Sequence, residues 1–176
     1  MSDPVWYFAY GSNMHPDTFR GRRGIVPEQA VAACLPGWQL VLDKPPLLPM
    51  GQAMANVIPM AQGQVLGVAY AIGPEDLAHV DLTEGVLIGN YARVAVQVAP
   101  LEGGTVIGAF TLTSGQRDPA LRPSRRYMDL LIQGAEIHGL PGEYVAWLRS
   151  RPAIDESPEA ASVRAFMDRA LKKEPR

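Results

Sequence analysis

Glu84 is a charged residue in an apolar pattern. In the stretch Asp76-Leu-Ala-His-Val-Asp-Leu-Thr-Glu84, residues Leu77, Val80 and Glu84 fall at i, i+3 and i+7, on one face of a continued helix. Gly85 follows, and then an apolar Val86-Leu87-Ile88. A carboxyl group partly withdrawn from water holds its proton more readily, so it can both take a proton and return it. The alternative is a helix that ends before Thr83 and leaves Glu84 pointing to water.

A second candidate lies near the start of the chain. Val5-Trp6-Tyr7-Phe8-Ala9-Tyr10 is aromatic and β-branched, a strand pattern, and it stops at Gly11-Ser12-Asn13. These three residues favour turns. A buried strand ending there points successive backbone N–H groups into one small space, which suits an anion or a developing oxyanion. It also suits an ordinary strand-end turn. Other chemistries find less support. His15, His79 and His138 are far apart and lack metal-ligand spacing, and His15 and His79 are expected at the surface. No phosphate-binding glycine loop, dinucleotide fingerprint or G-x-S-x-G elbow occurs.

The elements that must position these residues are mostly short strands. Val31–Leu35 and Trp38–Leu42 flank the turn dipeptide Pro36-Gly37, and Ala53–Ile58 and Gln64–Ile72 flank Pro59–Gly63. Residues 92–99 alternate, with Val94, Val96 and Val98 on one face and Arg93, Ala95 and Gln97 on the other. Glu102-Gly103-Gly104 turns the chain into Thr105–Leu112. Six or seven such strands could close a small barrel. Helices are expected from Pro74, from Ser124 to His138, from Leu140-Pro141-Gly142-Glu143 with Tyr144, Trp147 and Leu148 on one face, and from Ser157-Pro158. The last would carry an apolar stripe of Val163, Phe166, Met167, Ala170 and Leu171. Asp43–Gln52, with four prolines or glycines, reads as an irregular loop able to act as a lid. One domain over residues 1–150 is expected, with 151–176 forming a linker and an amphipathic helix packed on it.

The totals narrow the function. A chain of 176 residues is long enough for one domain with a real core. The net charge of −2 gives no reason to expect nucleic acid or an anionic membrane as a partner. The basic clusters Arg20, Arg22, Arg23 and Arg122, Arg125, Arg126 read as solvated surface or local carboxylate contacts. A single cysteine, Cys34, fits a reducing cytoplasm and reads as a buried structural thiol. No secretory leader is expected, because no basic segment precedes an uninterrupted apolar one near the start. No apolar run is long enough to cross a bilayer.

Tyr10-Gly11-Ser12-Asn13, Glu84-Gly85 with Tyr91 seven residues beyond the Glu, Pro123-Ser124 leading to Tyr127, and the Gly134-Ala135 to Gly139-Leu140-Pro141 segment occur in that order. Together they resemble the γ-glutamylcyclotransferase-like family between residues 7 and 148. The resemblance implies an α+β fold, a small mixed, mostly antiparallel β-barrel with flanking helices. It implies Glu84 as general acid/base, substrate held by Tyr10, Gly11, Ser12 and Asn13, and Tyr91 and Tyr127 lining the pocket as hydroxyl donors. It also implies release of 5-oxoproline from a small γ-glutamyl amino acid or amine, with no metal and no organic cofactor, and leaves a homodimer open. Within the family, Tyr-Gly-Ser-Asn differs from the Tyr-Gly-Ser-Leu of the glutathione-specific branch and the Tyr-Gly-Thr-Leu-Lys of the γ-glutamylamine branch. The proline-rich, apolar Asp43–Gln52 loop departs from the polar loop expected there, which leaves the leaving amine open. Two other readings stand beside it: a non-catalytic module binding amino-acid-like ligands, and an enzyme of the same scaffold acting on a γ-glutamyl group of a larger metabolite.

Overall fold

Tyr7, Phe8 and Ala9 are buried on both faces of their strand, which explains the unbroken apolar run that sequence shows there. In the computed structural model, which describes residues 3–172, this strand, β1 (Val5–Ala9), is one strand of a closed barrel wall. It pairs antiparallel with β3 (Met54–Ile72) and parallel with β5 (Ile107–Thr113). β2 (Gln29–Lys44) and β4 (Ala92–Pro100) complete the closed order β1-β3-β2-β4-β5. All pairings except β1–β5 are antiparallel.

The barrel has five strands among the described residues, fewer than the six or seven expected. Pro36-Gly37 and Pro59–Gly63 do not reverse the chain. Gly37 takes a left-handed φ of +80°, and opposite it residues 60–63 of β3 loop out of register between the pairs Pro36–Gln64 and Trp38–Pro59. The strands then continue as one long, kinked hairpin. The breaks are paired bulges, which bend a ladder without ending it. The hairpin's true turn is the proline-rich segment between Lys44 and Met54, at the expected loop. The alternation in β4 is as expected: Val96 and Val98 are buried, and Arg93, Ala95 and Gln97 are exposed.

Among the described residues, four α-helices flank the barrel: α1 (Pro74–Thr83), α2 (Arg125–Ile137), α3 (Gly142–Arg149) and α4 (Pro158–Ala170). Pro74 opens α1, with Glu75 and Asp76 in its first turn, where the helix dipole favours acids. Ser124 caps α2 by accepting a hydrogen bond from the Tyr127 amide at 3.1 Å, and Ser157 caps α4 in the same way from Ala160. Tyr144 and Trp147 stack with centroids 5.6 Å apart on α3. α4 is tied back to the rest by the Arg22–Asp168 ion pair at 2.9 Å. Residues 173–176 of the expected tail lie outside the described residues. Cys34 is half-buried, not enclosed as expected, with Sγ 3.6 Å from Gln64 Oε1. No described helix is long and apolar enough to cross a membrane.

Candidate active site

One end of the barrel gathers the candidate residues. β1 runs out through Tyr10 and Gly11 into a 3₁₀ turn, Ser12–Met14, which carries Asn13 inward. α1 delivers Glu84 from the opposite side. The helix ends at Thr83, yet the Glu84 amide still donates to Val80 O at 2.9 Å, so Glu84 keeps the helical register. Its side chain therefore shares the face of Leu77 and Val80, which are buried. Gly85 then takes the left-handed conformation, φ +69°, and stops the helix.

Glu84 is not the isolated carboxyl among apolar side chains that its neighbours suggest. Its side chain is 20% exposed and forms an ion pair with the buried Arg23 guanidinium. Asn13 links the two. Its Nδ2 donates to Glu84 Oε1 at 3.2 Å and to the Tyr7 hydroxyl at 2.9 Å, while its Oδ1 accepts from Arg23 Nε at 2.6 Å. Arg23 also donates to Thr83 Oγ1, the residue before Glu84. A carboxylate, an amide, a guanidinium and two hydroxyls thus form one connected cluster, and such a cluster orients each member more tightly than a single pair would.

The tyrosines wall the same pocket, with their oxygens already engaged. Tyr10 donates to Leu112 O at 2.6 Å and Tyr91 to Ala55 O at 2.8 Å. Tyr127 differs: its oxygen accepts from the Ala55 amide at 3.1 Å, which keeps its own O–H proton available to an acceptor in the pocket. Burial pushes the Tyr127 phenol up to about 12 and holds Tyr10 and Tyr91 well above ordinary phenols, so all three stay neutral donors. Gly11, Ser12, Asn13, Glu84, Tyr91 and Tyr127 line one inner cavity of about 60 Å³. The structure therefore brings together every site residue expected from sequence, although Tyr10, Tyr91 and Asn13 direct side-chain polar atoms into the scaffold.

Lys44, the last residue of β2, is fully buried beside them. Its Nζ donates to Asn90 Oδ1 at 2.7 Å and Pro45 O at 2.6 Å and lies 4.4 Å from the centre of the Tyr91 ring. Burial brings its pKa down to about 8, against the pull of Glu84. Asn90 in turn donates to Glu84 O at 2.9 Å, so Lys44 braces the backbone that carries the carboxylate. Behind the 12–14 turn, His15 is buried and bonded to Gln133 at 3.1 Å, contrary to the expected surface position, because α2 packs directly over it. Gly134 allows that packing: a Cβ there would come within 2.8 Å of Met14 Cβ and 2.9 Å of its carbonyl carbon.

Known proteins resemble this chain in sequence and in fold. Residues 64–148 match the AIG2-like family. The γ-glutamyl cyclotransferase aclK of Aspergillus oryzae is 29% identical over 174 residues, covering 88% of this chain and 63% of that protein. The γ-glutamylcyclotransferase of Bos taurus is 28% identical over 152 residues, covering 82% of this chain and 77% of its own length. A solved γ-glutamyl cyclotransferase structure superposes with a TM-score of 0.76 at 24% identity, over 93% of this chain and 99% of that one. The chain is similar, in sequence and in fold, to the γ-glutamylcyclotransferase-like proteins.

In this chain the motif segments have physical roles. Glu84-Gly85 is a helix end held in a left-handed stop, and Gly134 is the contact point between α2 and the 12–14 turn. Arg23, Thr83, Lys44 and Asn90 were missed as site residues. Arg23 left a signal: it is the last of a basic cluster, ten residues after Asn13, for which solvated surface and a local carboxylate contact were both open. Lys44 and Asn90 left none, because each sits at a strand boundary where sequence pattern says little about facing. Among the described residues, no group of three or more His, Cys, Asp or Glu side chains is placed to hold a metal ion.

Proposed function

We propose that this chain is a γ-glutamylcyclotransferase-type enzyme that releases 5-oxoproline from a γ-glutamyl amino acid or amine. The observation that carries the reading is the juxtaposition of Glu84, bridged at 3.2 Å by Asn13, with the backbone turn at 12–14 around one small cavity. A γ-glutamyl group contains both reactants, the α-amine and the γ-carbonyl. Holding it folded toward a five-membered ring can recover roughly 7–11 kcal/mol of barrier at best.

The reaction needs one proton moved twice. The α-ammonium gives up a proton to Glu84, and the freed amine attacks the γ-carbonyl carbon. The carbonyl oxygen gains negative charge as the C–N bond forms. N–H groups of Gly11, Ser12 and Asn13, with the Tyr127 hydroxyl, serve that oxygen or the substrate α-carboxylate. Collapse of the tetrahedral adduct breaks the bond to the leaving nitrogen, and Glu84 returns the proton there. Asn13 and Arg23 both bind Oε1 of Glu84, which leaves Oε2 for the substrate.

Incubation with γ-glutamyl dipeptides, followed for 5-oxoproline, tests the reading. Glu84→Gln keeps the shape and removes the proton acceptor, so turnover should fall by about 10²–10⁴-fold. Turnover near wild type in that variant, or glutamate as the product, would refute it.

A further inference from the structure

Outside the inner cavity the pocket widens into a second chamber of about 150 Å³. The two are continuous, since Ser12, Glu84, Tyr91 and Tyr127 line both. The outer walls are of a different kind. Leu47, Leu48 and Met50 of the proline-rich hairpin turn face the chamber from one side, and Val163, Met167 and Leu171 of α4 and its end face it from another. None of these six side chains is buried in the core, and Leu47 and Leu48 are 42% and 39% exposed. An apolar stripe on a helix ordinarily closes against core. Here Val163, Met167 and Leu171 cover a cavity, while Phe166 and Ala170 of the expected stripe face solvent.

Two ion pairs stand at the rim beside Arg126, which also lines the chamber. Arg22 pairs with Asp168 at 2.9 Å, and Arg164 pairs with Glu156 at 3.0 Å. The Arg22–Asp168 pair fastens α4 over the chamber, and the apolar walls are what distinguish one leaving group from another of equal charge. Resting on the ring-closing reading, we propose that this chamber is the leaving-group subsite and that the substrates are γ-glutamyl amides of amino acids with bulky apolar side chains. The polar glutamyl head fits the inner cavity, where the hydrogen-bonding groups are. The amide nitrogen then faces the chamber, and whatever it carries lies between the hairpin turn and α4. A large hydrophobic group there displaces water from six apolar side chains; glycine or alanine would leave them wet.

The test compares γ-glutamyl-phenylalanine with γ-glutamyl-glycine. Both carry the same carboxylate, so Arg126 at the rim meets equal charge in each. Two readouts are used: 5-oxoproline formation by the wild type, and calorimetric binding to the Glu84→Gln protein. The phenylalanine compound should lead by at least about tenfold in kcat/KM and in Kd. Met167→Gln on α4 and Leu47→Gln on the opposite wall should each cut that ratio below about threefold, and either variant suffices if the other fails to fold. Equal handling of the two compounds overturns the subsite, while 5-oxoproline from both upholds the ring closure. Preferential binding of the phenylalanine compound without 5-oxoproline upholds the subsite and overturns the chemistry. Equal binding without 5-oxoproline overturns both.

Discussion

Asn13 Nδ2 lies 3.2 Å from Glu84 Oε1, joining residues 71 apart in sequence, and the same amide takes a hydrogen bond from Arg23 through its oxygen. In the proposed reaction Asn13 is thus a positioning residue: its side chain joins three partners, and its carbonyl accepts from the Tyr70 hydroxyl at 3.3 Å. A serine or glycine at 13 would keep the turn but could not span three partners.

Asn13→Ala should therefore harm rate more than stability. Tyr7, Arg23 and Glu84 each lose one bond, and an unmet buried polar group costs about 1–3 kcal/mol. We expect a stability loss in that range by urea denaturation and a fall of at least about tenfold in kcat with KM little changed. An unchanged kcat would show that Glu84 holds its place without the amide.

Arg23→Met leaves Glu84 Oε1 and Asn13 Oδ1 without their cation. Removing one partner of a largely buried pair costs roughly 3–5 kcal/mol. Adding Glu84→Gln should restore part of that loss, because the orphaned charge is gone. Equilibrium unfolding of the two single variants and the double variant measures the coupling; simple additivity would contradict it.

Gly134→Ala forces a methyl against Met14, where the nearest atoms include backbone. Overpacking of this kind costs about 1–3 kcal/mol. The displaced part is the 12–14 turn, so turnover should drop further than stability alone explains. Gly139→Ala is the contrast: it is strained by φ +69° but has open space around it, so it should cost stability and leave turnover intact.

Lys44 gives a pH signature. Its folded-state pKa, about 8, is below that of an unfolded lysine, so the unfolded chain binds more protons between pH 8 and about 10.4. Its contribution to stability is unfavourable below pH 8 and improves as pH rises through that window. The buried tyrosines titrate with the opposite sign, their phenols being raised by burial. Comparison with Lys44→Met isolates the lysine: the wild type should gain on the variant between pH 8 and 10.4. Parallel curves would place the ammonium in a better-hydrated setting.

The site was legible where chemistry and geometry coincide in a few adjacent residues. Gly11-Ser12-Asn13 had to be a turn, and Glu84 kept a helical register that sequence periodicity describes. The barrel was legible as a class because alternation and turn residues are local. The strand count was not, since a Pro-Gly dipeptide signals a break in regular pairing and both a reversal and a bulge satisfy it. Arg23, Lys44 and Asn90 escaped because their roles depend on contacts across the barrel mouth, over 46 residues in the Lys44–Asn90 case. His15 escaped because nothing near it in sequence announces that α2 will cover it.

β1 finds its partners at residues 68–72 and at Phe110. While the chain is being made, the first strand must wait for most of the protein to emerge before it can pair on both sides. Such distant closure makes folding slow. Phe8, wholly enclosed in the finished barrel, stays uncovered through that interval, and Thr111 cannot donate to its carbonyl until β5 arrives. Chains interrupted before β5 would therefore present a sticky aromatic strand, a natural target for chaperones that hold nascent polypeptides.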